Sequence, residues 1–312
     1  ETLPGRIKCK TFSAPLSKYA EVGRLEDPEK QLQLIREHEE YQDDRMRVGK
    51  IPKKEITETP WSFSFGGEAA LLKKLRNVGA TLGDVAQKIF VGLQTSADTV
   101  FIFKDYEFIG KSKVRVYSKE LQKQIILEQG LLKRVVRSGD IGRYNAQSNC
   151  FVLFPYKVKN DQAILLSAEE IEYDYPLAWD YLKQCKKVLE NREGGKFRDD
   201  EWYRFGRTQN IGMWEQPKIL IPYMIRRLSA YSDSEDHYYF VNVTTGGFGI
   251  LADYDKVSMS YLTALLNSRL LNFYLKRITT NFRGGYFAAN KQFIDPLPIR
   301  IIDFGNPREK IL

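Results

Sequence analysis

The chain has 312 residues, 43% hydrophobic and 28% charged, which is ample for one large domain or two ordinary ones and argues against a disordered polymer. Its formal charge of +8 favours an anionic partner, while three scattered cysteines, Cys9, Cys150 and Cys185, exclude a disulfide framework or a cysteine-rich zinc site. No apolar run approaches the roughly 18–20 residues of a membrane helix, no signal-peptide pattern opens the chain, and a reduced cytoplasmic compartment fits.

Residues 1–60 read as a connector, and the absence of a plausible start in residues 1–10 suggests a piece of a longer protein. Residues 27–46 are crowded with charge of both signs and carry Leu32, Leu34 and Ile35 as a modest apolar strip. A solvated helix is expected there, with Asp27 as N-cap and Pro28 at its first position. Residues 48–60, with Pro52 and Pro60, read as an extended strap. Residues 68–77 form a short amphipathic helix, with Leu71, Leu72 and Leu75 inward and Gly79 near the C-cap. Alternation around Gly92 and residues 95–98 predicts strand–turn–strand over 82–103, and residues 149–156 predict a buried strand stopped by Pro155.

Over residues 175–192, Leu177, Tyr181, Leu182, Cys185, Val188 and Leu189 recur at helical spacing, and Gly194-Gly195 ends that helix. Residues 217–224 and 237–243 are strand-like, and Gly246-Gly247-Phe248-Gly249 between strand-like runs reads as a turn rather than a cofactor loop. Residues 257–278 predict the longest helix, apolar on more than one face and therefore mostly buried, with Leu265, Leu266, Leu270 and Phe273 in the core. The fold class is α+β on mixed or antiparallel sheet, with a long buried C-terminal helix and an N-terminal helical connector.

Several chemistries lack their residues. Two histidines, His38 and His237, sit in charged surroundings, with no helical His-x-x-x-His and no Cys-x-x-Cys, so no metal site is expected. No acid stands two residues before a lysine, so the usual acid/Asp-or-Glu-x-Lys nuclease site cannot be assembled. No Pro-Pro occurs, and no glycine-rich strand–turn–helix loop or Gly-x-Ser-x-Gly elbow is present. What remains is basic residues interleaved with aromatic and amide side chains. Residues 202–210 contain Arg204, Arg207, Gln209 and Asn210; Lys133, Arg134, Arg137 and Arg143 form a second cluster, and Arg226-Arg227 a third. Arginine can bind guanine in bidentate fashion, and glutamine or asparagine adenine, in the major groove. Solvated basic faces, or arginines paired with Asp140, Asp199 or Asp200, explain any one cluster equally well. Trp202 and Trp214 read as core before they read as stacking platforms.

The most lopsided stretch is residues 265–300, LLNSRLLNFYLKRITTNFRGGYFAANKQFIDPLPIR, where six Lys and Arg face one acid, Asp295. Arg283-Gly284-Gly285-Tyr286 can bring a guanidinium and bare backbone close to a polyanion, with Lys291 beyond it. This segment resembles the end of the TaqI-like C-terminal specificity domain, the target-recognition module of adenine-N6 DNA methyltransferases and fused restriction–modification enzymes. The resemblance extends over residues 61–303. LGDVAQKIFVGLQTSADTVFIF is similar to the family's opening "G-x-Q-T-x-x-D" turn, and LLKRVVRSGDIGRY to its "L-x-x-x-x-R-x-x-D-I-x-R-Y" signature. YPLAWDYLKQCKKVLENRE and WYRFGRTQNIGMWEQPKILIPYM resemble the central helix and following strand.

The resemblance implies a connector over 1–60 and a duplex-DNA recognition domain over 61–312. It implies a covalently linked methyltransferase domain elsewhere in the protein that would hold S-adenosylmethionine, and no cofactor or catalysis in this chain itself. Specificity subunits of three-component restriction systems share the 82–95 and 265–300 patterns. Rival readings are a hydrolase using unrecognised carboxylates and a scaffold whose basic surface meets acidic protein. RNA recognition is disfavoured because no RRM or KH signature appears.

Overall fold

The structure is a computed structural model that describes residues 6–8, 16–22, 27–43, 46–52, 67–242 and 245–303. The chain divides into two compact units, Glu1–Val78 and Gly79–Leu312.

In the first unit an antiparallel sheet runs Arg6–Lys8, Leu16–Val22, Met46–Pro52, Tyr41–Gln42. The expected helix is Pro28–Glu37, and the Asp27 carboxylate accepts from the Lys30 N–H at 3.1 Å. Its charged faces stay wet while Ile35 packs with Met46 and Val48 in a small core. The strap is therefore a paired strand as far as Pro52, and residues 53–66, Trp61 included, lie outside the described residues. The helix Gly67–Arg76 buries Leu72 and Leu75, which share a face at i, i+3. Leu71 falls off that face and is exposed, contrary to the expectation that it points inward.

The second unit is built on two four-stranded sheets. One runs Tyr239–Phe240, Leu132–Val136, Cys150–Leu153, Ile102–Lys104; the other runs Tyr231–Asp233, Lys218–Pro222, Gly247–Ala252, Ala86–Val91. A parallel bridge between Leu93 and Val241 ties the two together. The predicted strand–turn–strand over 82–103 is present only in part: Leu82–Val85 and Asp98–Phe101 are short helices, and the strands Ala86–Val91 and Ile102–Lys104 enter different sheets. A three-stranded antiparallel sheet, Lys123–Glu128, Lys113–Ser118, Glu107–Ile109, stands beside them.

The central helix is Pro176–Glu190, which buries Tyr181, Leu182, Cys185 and Leu189 as its periodicity predicts. Val188 is exposed instead, and Ala178 and Trp179 complete the buried stripe. No side chain of its own caps this helix. The Glu128 carboxylate accepts from the Leu177 and Ala178 N–H groups at 2.8 and 3.0 Å, supplying the anion a helix N-terminus favours.

The single long helix expected over 257–278 is two helices, Met259–Leu266 and Arg269–Ile278. The break lies at fully buried Asn267, whose side-chain amide accepts from Ala230 N and donates to Ala230 O at 2.9 and 2.8 Å. Ser268 then caps the second helix through the Leu271 N–H. The break resets the phase, so Leu271, Tyr274 and Leu275 are buried while Leu270, expected in the core, is 44% exposed. Leu266 is buried, and Leu265 and Phe273 are half-buried.

Residues 246–249 differ from the turn expected there. Only Gly246 is in the turn, and Gly247–Ala252 is a strand. A Cβ at Gly247 would sit 2.1 Å from Ile221 O, and one at Gly249 would sit 2.4 Å from the Phe90 ring. These glycines allow close approach inside a sheet rather than forming a loop.

Candidate functional site

Three of the predicted site cations are engaged by carboxylates. Lys133, on the strand Leu132–Val136, places Nζ 2.7 Å from Glu215, which also accepts from the Tyr239 hydroxyl. Burial pushes the Glu215 carboxyl up, but the hydrogen bonds from Lys133 and Tyr239 outweigh it and hold the group below the usual glutamate range. Arg204 grips Asp199 with both terminal nitrogens, at 2.5 and 2.9 Å, and stacks 4.7 Å over Phe197. Its hydrogen bonds hold Asp199 below the ordinary carboxylate range. Arg207 pairs with Glu193 at 2.9 Å, and its backbone N–H donates to Gln94 O.

Beside them Arg192 is buried and donates to the carbonyls of Leu189, Thr95 and Trp202 at 2.8, 2.8 and 2.6 Å. The arginines of residues 202–207 thus fasten loops together, and Trp202 and Trp214 are core as expected. Gln209 is exposed, and Asn210 takes a left-handed conformation (φ 63°) leading into the short turn Ile211–Glu215. Arg134 is exposed next to Lys133, in a cleft that also holds Asp236 and His237.

The remaining predicted residues converge. Ser138 N donates to Thr245 O, and Ser138 Oγ reaches Gly246 O, so the Arg137 turn is tied to the 245–246 loop. Gly246 O accepts from Tyr223 N, and Tyr223 O accepts from Ala289 N. The strand Met224–Ile225 then pairs with Tyr286–Ala288, which pairs in turn with Asn281–Phe282. Tyr144 N donates to Ala230 O, which brings in the Arg143 turn.

Four segments far apart in sequence therefore form one backbone-bonded run carrying Arg137, Arg143, Arg226, Arg227 and Arg283. Its aromatics are Tyr144 (55% exposed), Phe282 (40% exposed) and Tyr286. Arg226 lies 4.7 Å over the Tyr286 ring, and Arg143 lies 5.6 Å from the Tyr144 ring. The Nε of Arg227 is buried without a hydrogen-bond partner. Lys291 opens the short helix Lys291–Ile294, exposed beyond the hairpin. The glycine hinge takes the expected geometry: Gly284 and Gly285 have φ of +76° and +75°, where a Cβ is strained.

Two concave neighbours of this run have no contiguous motif in the sequence. Gln94, Thr95, Ser96, Asp98 and Asn242 line an open, mostly polar cleft of about 500 Å³. Next to it a cavity of about 180 Å³ is lined by Asp98, Lys104, Lys119 and Arg137. Sheet pairing through Cys150–Leu153 brings Lys104 to the strand that precedes Arg137, and Lys119 follows the strand Lys113–Ser118 of the neighbouring three-stranded sheet. Among the described residues no group of His, Cys, Asp and Glu could hold a metal ion, and no helix is long and apolar enough to cross a membrane.

Residues 165–299 match the model of the TaqI-like C-terminal specificity domain. Over 254 residues the chain is 26% identical to the Type II restriction enzyme and methyltransferase RM.Eco57I of Escherichia coli, covering 77% of this chain and 25% of that protein. It is 23% identical over 245 residues to the Type II methyltransferase M.BstVI of Geobacillus stearothermophilus, covering 75% of this chain and 37% of that protein. It is 25% identical over 183 residues to the Type II methyltransferase M.BanIII of Aneurinibacillus aneurinilyticus, covering 56% of this chain and 28% of that protein. The chain thus spans about a quarter to a third of the length of these relatives.

Proposed function

We propose, from the premise that residues 165–299 are a TaqI-like C-terminal specificity domain distantly related to type II restriction enzymes and methyltransferases, that this chain recognises a sequence in duplex DNA. The observation that carries the reading is the convergence of Arg137, Arg143, Arg226 and Arg283 with exposed aromatic rings on one run of bonded backbone. Sequence-distant cationic segments, assembled with no carboxylate partner among the described residues, project positive potential, whereas Lys133, Arg204 and Arg207 are neutralised in place. Phosphate contacts from the run would set the register of the duplex, and Gln94, Gln209, Asn210 and Asn242 supply amides suited to base edges.

In this reading residues 61–312 are the recognition domain and 1–60 the connector to a methyltransferase portion of the kind named in the relatives. The chain itself transfers no methyl group; it holds the duplex while a separate active site takes the target adenine out of the stack. Titration of duplex DNA at several salt concentrations tests this. Neutralising Z phosphates gives a log–log slope of about −0.9Z, and absence of binding at low salt sinks the reading.

A further inference from the structure

We infer that the cavity between Lys104, Lys119 and Arg137 is a phosphate subsite that takes one backbone phosphate of the duplex, an inference that rests on the DNA-recognition reading above. The sheet topology builds it. Ile102–Lys104 and Leu132–Val136 both pair antiparallel to Cys150–Leu153, so they run in the same direction, and Tyr239–Phe240 pairs parallel to Leu132–Val136. All three strands therefore leave the sheet at one end. That end gathers Lys104, Arg137 and Val241 at the cavity from segments more than thirty residues apart.

The charge there is not neutralised. Among the described residues, none of Lys104, Lys119 and Arg137 makes a side-chain ion pair, in contrast to Lys133, Arg204 and Arg207. The one carboxylate in the lining, Asp98, accepts from Thr95 Oγ1 at 2.5 Å within its own loop. Asp140, the acid nearest Arg137 in sequence, caps that residue's backbone N–H at 2.8 Å. The lining hydroxyls are also engaged: Thr99 donates to Glu120 at 2.7 Å and Thr245 to Val241 O at 3.3 Å. Recognition is left to the three cations. Ile102, Val135 and Val241 form apolar walls, and a lower local dielectric strengthens the attraction of the cations for an anion.

Size sets the class of ligand. At about 180 Å³ the cavity is well below the roughly 300–1,000 Å³ of pockets that enclose drug-sized molecules. A phosphoryl group fits this scale, and the arginine fork with two ammonium groups matches its oxygens. Arg137 also heads the backbone-bonded run, so a phosphate held there would fix the duplex against Arg143 and Arg226.

Two titrations of the 312-residue chain, each paired with the Lys104→Gln/Lys119→Gln variant, test the inference. Glutamine removes the charge while staying polar and unbranched, and an unchanged melting temperature certifies the fold. With inorganic phosphate as probe, saturable NMR shifts are expected at the Lys104 and Arg137 amides and should be absent from the variant. No shift in the wild-type chain overturns the subsite. With duplex DNA, the variant's salt slope should be shallower by about 0.9 for each phosphate it no longer neutralises. Duplex binding with an unchanged slope overturns the assignment to the DNA backbone and leaves the proposed function intact. A wild-type chain that binds phosphate at the cavity but no duplex overturns both the DNA source and the proposed function.

Discussion

Lys218 and Asp233 form an ion pair at 2.8 Å with both side chains fully shielded from water, and this pair sets the steepest residue-level expectation. Burial pulls the Lys218 ammonium below the lysine norm, and Asp233 offsets that only in part. Asp233 also accepts the His237 and Tyr238 N–H groups, at 2.9 and 2.7 Å, and so shapes the loop before Tyr239. Asp233→Ala should cost about 3–5 kcal/mol in urea unfolding, because it strands a buried cation. Glu215 gives a pH prediction. Its folded pKa is depressed, so its stabilisation is present above the unfolded value of about 4.3 and is lost as pH falls through the lower folded value. Glu215→Gln should therefore flatten the acid limb of melting temperature against pH. The arginines divide by environment. Arg192→Ala should destabilise the fold by removing donors from three carbonyls, whereas exposed Arg283→Ala should change stability by less than about 0.5 kcal/mol while weakening duplex binding.

At the scale of elements, the break at Asn267 decides which leucines matter. Leu266→Ala and Leu271→Ala should each cost about 2–5 kcal/mol, and Leu270→Ala should cost far less because that side chain is already in water. Asn267→Ala should cost about 1–3 kcal/mol for the Ala230 N–H left buried and unpaired, since Ala230 O keeps the Tyr144 N–H. Denaturant titration of the four variants separates the two-helix arrangement from one continuous helix. Apolar periodicity announced this helical segment but not its interruption, because the amide that breaks it bonds to a residue 37 positions earlier. The helix Pro176–Glu190 was legible for the opposite reason: its buried stripe is local and its ends carry Pro176 and Gly194-Gly195. Its N-terminal cap was not legible, since Glu128 is brought from a distant strand.

For the molecule as a whole, the division between carboxylate-paired and free cations predicts how binding responds to mutation. Removing Lys133, Arg204 and Arg207 together should lower the melting temperature and leave the salt slope of duplex binding nearly unchanged. Removing Arg226 and Arg283 should flatten the slope by about 0.9 for each phosphate left without its cation. Calorimetry with S-adenosylmethionine should give no heat of stoichiometric binding, as the sequence carries neither the Pro-Pro loop nor the glycine-rich loop such a site uses.

The chain's amino-acid order by itself determined the α+β class, the capped helix at Pro28, the core tryptophans, the glycine hinge at Gly284-Gly285 and the likeness to a specificity domain. Each of these rests on neighbours in the chain: periodicity, a cap, a φ that only glycine takes easily, a motif. Only the tertiary structure decided which cations are free. Lys133, Arg204 and Arg207 look in sequence like Arg137, Arg226 and Arg283, and the first three differ because strands and loops set Glu215, Asp199 and Glu193 against them. A charge acts through space, so whether it faces a carboxylate or an open surface is settled by packing, and sequence spacing carries no record of that distance.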